Sequence, residues 1–134
     1  MSDTLRLEVP AHPEFLSFVR LTVGGVATMN GALLDEIEDL QLATEELCLQ
    51  LLPEDHGPAG PLLLEVEWTD TNVHVRCSVD GTLNPSTDDV ADEDLPPGAV
   101  ARILDLLVEE HGLEVEEGRT VSWLRTSWAS AQSG

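Results

Sequence analysis

The sequence contains no lysine, and its six basic residues are all arginines, set against 26 acidic residues. The net charge of −20 at pH 7 repels a polyanion, whereas phosphate contacts need a basic surface. The composition therefore argues against direct binding of nucleic acid. It favours a basic partner or serves solubility alone, because net charge bears on association and solubility and not on the fold.

Cysteine, metal-ligand clusters and long apolar runs are also scarce. Cys48 and Cys77 show neither the spacing of a zinc site nor a disulfide framework, and no charged and apolar leader opens the chain. We therefore expect a reducing, cytoplasmic compartment. The histidines have no mutual spacing that suggests a metal site (His12, His56, His74 and His111). No apolar run reaches the roughly 20 residues of a membrane-spanning helix, so we expect no membrane association.

The length and the hydrophobic content set the domain count. A chain of 134 residues that is 42% hydrophobic can bury one core, so we expect a single domain over 1–128 and a disordered tail over 129–134. The segment from Asp80 to Gly98 is acidic and contains prolines. A connection of that length inside a small domain is usually a lid or a mobile loop.

Hydrophobic periodicity predicts the order strand, helix, helix, strand, strand, helix, strand, strand. The predicted strands cover 4–9, 62–68, 73–79, 113–116 and 119–128, and the predicted helices cover 13–30, 33–52 and 99–111, the last capped by Gly112. This order indicates an α+β two-layer sandwich, with a mixed, mostly antiparallel sheet and three helices on one face. The other face is left to water or to a partner. The three tryptophans mark that second face or pack in the core (Trp68, Trp123 and Trp128).

Two polar side chains interrupt the apolar pattern of the second helix. Glu46 and Gln50 are four residues apart, which places them on one helix face, one turn from each other. A carboxylate and an amide in this arrangement can serve a nucleotide and its metal, or can form the solvated side of the helix. Cys48, between them, is expected to be buried and inert.

Several segments together carry a resemblance to a known family. The opening LRLEVPAHPEFLSFVRLTV, the helix DLQLATEELCLQLL, the paired strands ending in SVDGTLNP, and the final helix and hairpin resemble the RsbW and SpoIIAB family of anti-sigma factors. That family is similar to histidine-kinase ATPase domains of the Bergerat (GHKL) type. The most specific pieces are Phe18-Val19-Arg20 in the first helix and Leu42-Ala43 followed by Glu46 in the second. The resemblance implies a Bergerat-type fold and a serine-protein kinase that uses Mg-ATP.

The family's Glu-x-x-x-Asn step assigns the roles of two residues on the second helix. By resemblance, Glu46 is the base, and Gln50 occupies the position of an asparagine that binds Mg²⁺. Glutamine still offers an amide oxygen, but its extra methylene displaces that oxygen by roughly 1 Å, and Mg²⁺ demands near-ideal octahedral geometry.

The two remaining nucleotide motifs of the family are eroded. The aspartate of the family's Asp-x-Gly-x-Gly motif accepts a hydrogen bond from the adenine amino group. Asp80 and Gly81 align with the start of this motif only if the alignment is shifted by two residues, and the spacing of the glycines is then wrong. The glycine-rich phosphate turn survives only as Pro96-Pro97-Gly98-Ala99, and proline lacks the N–H donor of a phosphate cradle. Gly98 and Arg102 remain the candidates for phosphate contacts. These losses and the net charge predict weak or lost binding of Mg-ATP.

The resemblance also implies protein partners. They are an alternative sigma factor, an anti-anti-sigma antagonist of the STAS type, and a second copy of the chain that forms a homodimer through the sheet. The family's arginine at the Val-Arg step contacts the partner, which assigns this role to Arg20, although an arginine on a mostly apolar helix is also typical of a snorkelling surface residue. Three hypotheses follow. The chain is an anti-sigma factor of a stress response, an active serine kinase that phosphorylates the antagonist, or a pseudo-ATPase domain with another binding target.

Overall fold

Five strands and three α-helices make up the described chain. A computed structural model describes residues 2–52, 60–80 and 99–128. The strands are β1 (Asp3–Pro10), β2 (Pro61–Trp68), β3 (Asn72–Asp80), β4 (Glu110–Glu116) and β5 (Arg119–Ser127). A 3-10 turn (Pro13–Phe15) leads into α1 (Leu16–Met29), followed by α2 (Leu34–Leu49) and, later, α3 (Ala99–Leu107). Gly81, Gly98, His56, most of the expected lid and the expected tail lie outside the described residues.

The strands form one sheet in the order β1-β2-β3-β5-β4. Every neighbouring pair of described strands is antiparallel, including β1 with β2, which the two helices separate in sequence. The predicted α+β architecture with a mostly antiparallel sheet and three helices is confirmed. The expected mixed character is absent from the five described strands.

The alternation of side chains gives this sheet two different faces. One face is apolar and packs beneath the helices, with fully buried side chains on its central strands (Leu62, Leu64, Val66, Val73, Val75, Cys77 and Leu124). The cross-strand registers place the intervening residues on the opposite side. We call that side the open face and define it by its polar and aromatic members: Arg6, Glu65, His74, Arg76, Ser78, Asp80, Glu110, Glu116, Arg119, Trp123 and Arg125.

Helices α1 and α2 pack closely against each other above the sheet. Val19, Val23 and Ala27 of α1 are fully buried, as are Ala43 and Leu47 of α2. These residues recur at helical spacing, so one stripe of each helix reaches the core. Helix α2 was predicted to begin at Leu33, but this residue is its N-cap and is 61% exposed.

A glycine allows the close contact between these helices. A Cβ at Gly24 would lie 2.4 Å from Nε2 of Gln41, and that nitrogen donates a hydrogen bond to the carbonyl of Arg20 at 3.0 Å. The glycine therefore costs some helix propensity but leaves room for a hydrogen bond between the two helices.

The end of α3 differs from the prediction. The helix was expected to run to residue 111 with Gly112 as its cap, but α3 ends at Leu107 and Gly112 lies inside β4, opposite Trp123 of β5. A Cβ at Gly112 would lie 2.6 to 2.9 Å from atoms of the Trp123 indole. The glycine is therefore a strand residue that makes room for a cross-strand aromatic ring. Helix α2 likewise ends at Leu49, short of the predicted residue 52.

Among the described residues, the helices are too short or too polar for any of them to traverse a lipid bilayer.

Candidate functional site

Glu46 and Gln50 lie one turn apart at the C-terminal end of α2, as predicted. The backbone N–H of Gln50 donates to the carbonyl of Glu46 at 3.3 Å, and Gln50 is the C-cap of the helix. Partial burial, and then the neighbouring carboxylate of Glu45, raise the pKa of Glu46 above its ordinary value. A carboxyl group with a raised pKa is suited to acid–base work, but half-burial on a helix is sufficient to produce it.

The amide of Gln50 is engaged inside the protein. The hydroxyl of Ser122 donates to Oε1 of Gln50 at 2.7 Å, and Ser122 is fully buried in β5 on the apolar side of the sheet. This is the amide oxygen that the resemblance assigns to Mg²⁺. In this structure it accepts a hydrogen bond that joins α2 to the sheet.

Asp80 lies on the opposite side of the sheet from these two residues. Its neighbour two positions earlier, Ser78, shares the open face, whereas Cys77 points to α2. The guanidinium of Arg119 pairs with the Asp80 carboxylate and also donates to Oγ of Ser78 at 3.0 Å. The structure therefore does not bring Asp80 together with the α2 residues.

The arginines offer little free positive charge for a polyphosphate. Five of the six lie within ion-pair distance of acidic side chains (Arg6 with Glu65, Arg20 with Glu45, Arg76 with Glu116, Arg119 with Asp80 and Arg125 with Glu110). Arg102, the sixth, is exposed on α3. In the three described ranges, no group of three or more His, Cys, Asp or Glu side chains is placed to hold a metal ion.

A second candidate site surrounds Arg20 on the outer side of the helical layer. Arg20 is exposed on α1, with Nη1 3.9 Å from Oε1 of Glu45 on α2. Exposed apolar side chains neighbour these residues along both helices. We call this set the Arg20 surface: Arg20 and Leu21 of α1 with Leu42, Glu45 and Leu49 of α2.

The Arg20 surface has the composition of a protein-binding site. Leu21 is 69% exposed, and Leu42 and Leu49 are 45% and 44% exposed. Positions 42, 45 and 49 follow helical spacing, so the two leucines flank Glu45 on one helix face. Clustered apolar side chains with a central arginine are typical of interface cores. The family resemblance assigned a partner role only to Arg20. The two leucines lie off the buried stripe of α2, and this position in the helical pattern was the signal that could have added them.

The open face carries a shallow groove that was not predicted. His74 and Trp123 line it, with ring centroids 5.8 Å apart in an edge-to-face arrangement. The groove has a volume of about 310 Å³, and Arg76 and Arg125 line it together with three glutamates. Burial, followed by the positive charge of Arg76, lowers the pKa of His74. Trp128, by contrast, is buried in the core.

Comparison with known proteins connects these observations to a family. The chain is 47% identical over 47 residues to the serine-protein kinase RsbW of Bacillus subtilis, a match that covers 35% of this chain and 29% of that protein. It is 37% identical over 60 residues to the RsbW of Halalkalibacterium halodurans, covering 45% and 37%. Over these residues, the chain is similar to RsbW proteins. No protein-family model matches it.

The fold of the chain agrees with a solved structure. The crystal structure of the RsbU and RsbW domains of Rv1364c from Mycobacterium tuberculosis matches 92% of this chain and 32% of that one, with a TM-score of 0.68 and 16% identity. The sequence matches span only about a third of the two relatives' own lengths. The structural comparison therefore shows the fold, and the sequence comparisons show a similarity to RsbW proteins that is limited to the matched residues.

Proposed function

We propose that this chain is a cytoplasmic anti-sigma factor that sequesters an alternative sigma factor, is released by a STAS-type antagonist, and binds ATP weakly or not at all. The hydrogen bond from Ser122 to Gln50 carries this proposal. It engages the amide oxygen at the position where the resembling family binds Mg²⁺. The position of Asp80 on the open face, paired with Arg119, supports it further.

The charge of the chain supports a basic protein as the partner. Acidic side chains outnumber arginines by 26 to 6, and five of the arginines already have acidic neighbours. Sigma factors expose basic DNA-binding surfaces, which a negative field attracts and an acidic protein can cover. Sequestration then requires no catalysis, because the complex itself keeps the sigma factor from DNA.

The Arg20 surface supplies the contact region in this proposal. Its leucines provide apolar area for a partner to cover. A partner that covers Arg20 and Glu45 would remove water from both charges, so only a partner with complementary groups would bind there. An antagonist that competes for the same surface would release the sigma factor. The open face is left for the homodimer that the family resemblance implies.

The experiment is affinity capture from the organism that encodes the chain. Tagged chain is expected to retain one sigma factor, identified by mass spectrometry, and purified antagonist is expected to displace it. Capture of no sigma factor from cells shown to express one contradicts the proposal.

An active serine kinase is the second candidate, and two observations favour it. The relatives carry the name serine-protein kinase, and Glu46 stands at the family's base position with a raised pKa. Calorimetric titration with Mg-ATP, followed by transfer of labelled phosphate to the antagonist, separates the candidates. The kinase would be established if Mg-ATP binding released heat and if the antagonist were labelled by the parent chain but not by Glu46→Gln. The absence of both binding heat and label would exclude the kinase.

A further inference from the structure

The only two cysteines of the chain meet in the core. Sγ of Cys48 on α2 lies 3.3 Å from Sγ of Cys77 on β3, and both residues are fully buried. A disulfide requires about 2.05 Å between the sulfurs, so closing the pair requires a movement of little more than about 1 Å. Both residues are free thiols in this structure. The separation of 29 positions gave no sign of the contact in the sequence.

The thiol pair adjoins the hydrogen bond between α2 and β5. Cys77 is the cross-strand partner of Ser122, and Cys48 is two residues before Gln50. A covalent bond at this point would fasten the C-terminal end of α2 to the centre of the sheet, beside the contact that already joins them.

We propose that Cys48 and Cys77 form a redox pair that hydroperoxides oxidise to an intramolecular disulfide. One thiol loses its proton, the resulting thiolate attacks a peroxide oxygen, and the O–O bond breaks to leave a sulfenic acid. The departing hydroxide, or alkoxide from an organic hydroperoxide, takes up that proton and leaves as water or an alcohol. The second thiol then attacks the sulfenic sulfur, the S–S bond forms as the S–O bond breaks, and the thiol's proton leaves with the hydroxyl as water. The two sulfurs together lose two electrons and the peroxide gains two.

The surroundings of the pair determine how the reaction proceeds. The hydrogen bond to Cys48 and then burial raise the pKa of Cys77 well above its ordinary value, and the thiolate is the reactive form. Oxidation is therefore slow and proceeds through transient opening of α2. Once one sulfur is oxidised, the neighbouring thiol resolves it faster than a second peroxide or another protein can reach it.

The product is expected to be more stable than the reduced chain. A crosslink that closes a loop of this length restricts the unfolded ensemble, so we expect the melting temperature to rise by about 10 °C on oxidation. This inference is independent of the sigma-factor proposal, because it concerns two thiols that are fully buried in the core of the chain itself.

The test uses the full chain under native conditions. After prolonged exposure to hydrogen peroxide and removal of the excess, the protein is unfolded and alkylated with iodoacetamide. The expected product is a monomer with no alkylatable thiol and a mass about 2 Da lower, one dalton for each hydrogen lost, that dithiothreitol restores.

Three results would overturn the proposal: both thiols still alkylated in the unfolded chain, sulfinic or sulfonic acids in place of the disulfide, or disulfide-linked dimers. Cys48→Ala and Cys77→Ala are the matched controls. Neither can lose a pair of hydrogens, and neither should gain thermal stability on oxidation. The measurement on the unaltered chain decides the question even if one variant folds poorly.

Discussion

The hydroxyl of Ser122 donates a 2.7 Å hydrogen bond to the side-chain oxygen of Gln50, which joins the end of α2 to the buried side of β5. In the resembling family this helix position holds an asparagine that binds Mg²⁺. Here the longer glutamine reaches the sheet. The side chain of Gln50 is therefore part of the packing between the two layers, and the proposal that this chain binds a partner and binds ATP weakly or not at all is built on this contact.

The bond between Gln50 and Ser122 is expected to contribute to stability. Gln50→Ala and Ser122→Ala should each lower the free energy of unfolding, and the double variant should lose less than the sum by about 1 kcal/mol, the usual worth of a partly buried hydrogen bond. Urea unfolding of the four proteins measures this coupling. Additive losses would mean that the two side chains do not depend on each other.

The pair between Asp80 and Arg119 is expected to contribute little. Asp80 has 68% of its side chain exposed, and exposed ion pairs are worth about 0–1 kcal/mol. Asp80→Asn should therefore unfold within about 1 kcal/mol of the parent. Asp70→Asn, in the exposed turn between β2 and β3, is the matched control. If the parent chain bound ATP measurably and Asp80→Asn abolished that binding, the result would support the adenine-binding role that the resemblance assigns to Asp80.

Two glycines are expected to respond oppositely to the same substitution. Gly112→Ala places a Cβ against the indole of Trp123, so we expect a loss of about 1–3 kcal/mol and a shift in tryptophan fluorescence. Gly25→Ala meets nothing within 4 Å inside α1 and should gain about 0.5–1 kcal/mol from helix propensity. A stable Gly112→Ala protein with unchanged fluorescence would show that Trp123 does not cover the glycine.

His74 is expected to make stability depend on pH. Burial and then Arg76 hold its folded pKa below the ordinary 6.5, so the folded state binds fewer protons than the unfolded state. The contribution of neutral His74 to the free energy of unfolding is complete above about pH 6.5. This contribution is lost as the pH falls through that value toward the pKa of the folded state.

The measurement compares the unfolding free energy at about pH 7.5 with that at about pH 5.5. His74→Gln should lose less stability over this interval than the parent. His12→Gln, at an exposed histidine before α1, serves as the control and should follow the parent. Equal losses in all three proteins would contradict the assignment of this pH dependence to His74.

Substitution of Arg20 is expected to weaken the complex with the sigma factor. Arg20→Glu places a carboxylate beside Glu45 and should weaken sigma-factor binding by at least about tenfold. Arg6→Glu makes the same charge change on the open face, beside Glu65, and should leave the affinity within about twofold. Unchanged affinity in Arg20→Glu would remove Arg20 from the interface, and equal weakening in both would indicate a general charge effect.

Sequence patterns predicted the fold because its elements are strongly periodic. Apolar and polar residues alternate in the strands around Leu64 and Val75, and buried residues recur every three or four positions in α1 and α2. The type and the order of these elements could therefore be predicted from the sequence. The end of α3 was predicted wrongly because a glycine after an apolar helix pattern usually marks a cap. Only the contact between Gly112 and Trp123, which depends on the register of two strands, shows why it lies in β4.

The candidate site was less predictable, since its contacts join residues far apart in sequence. The spacing of Glu46 and Gln50 on one helix face was readable, but their surroundings were not. The partner of Gln50 lies 72 positions away, and the two cysteines meet across 29. The face on which Asp80 lies follows from the register of β3, and periodicity alone does not specify register.

The measurement that tests the central claim most directly is the affinity of the purified chain for the sigma factors of its own organism, with and without Mg-ATP. The account predicts that one sigma factor binds and that Mg-ATP changes its dissociation constant by less than about twofold. Binding of no sigma factor, or binding that appears only with Mg-ATP, would contradict it.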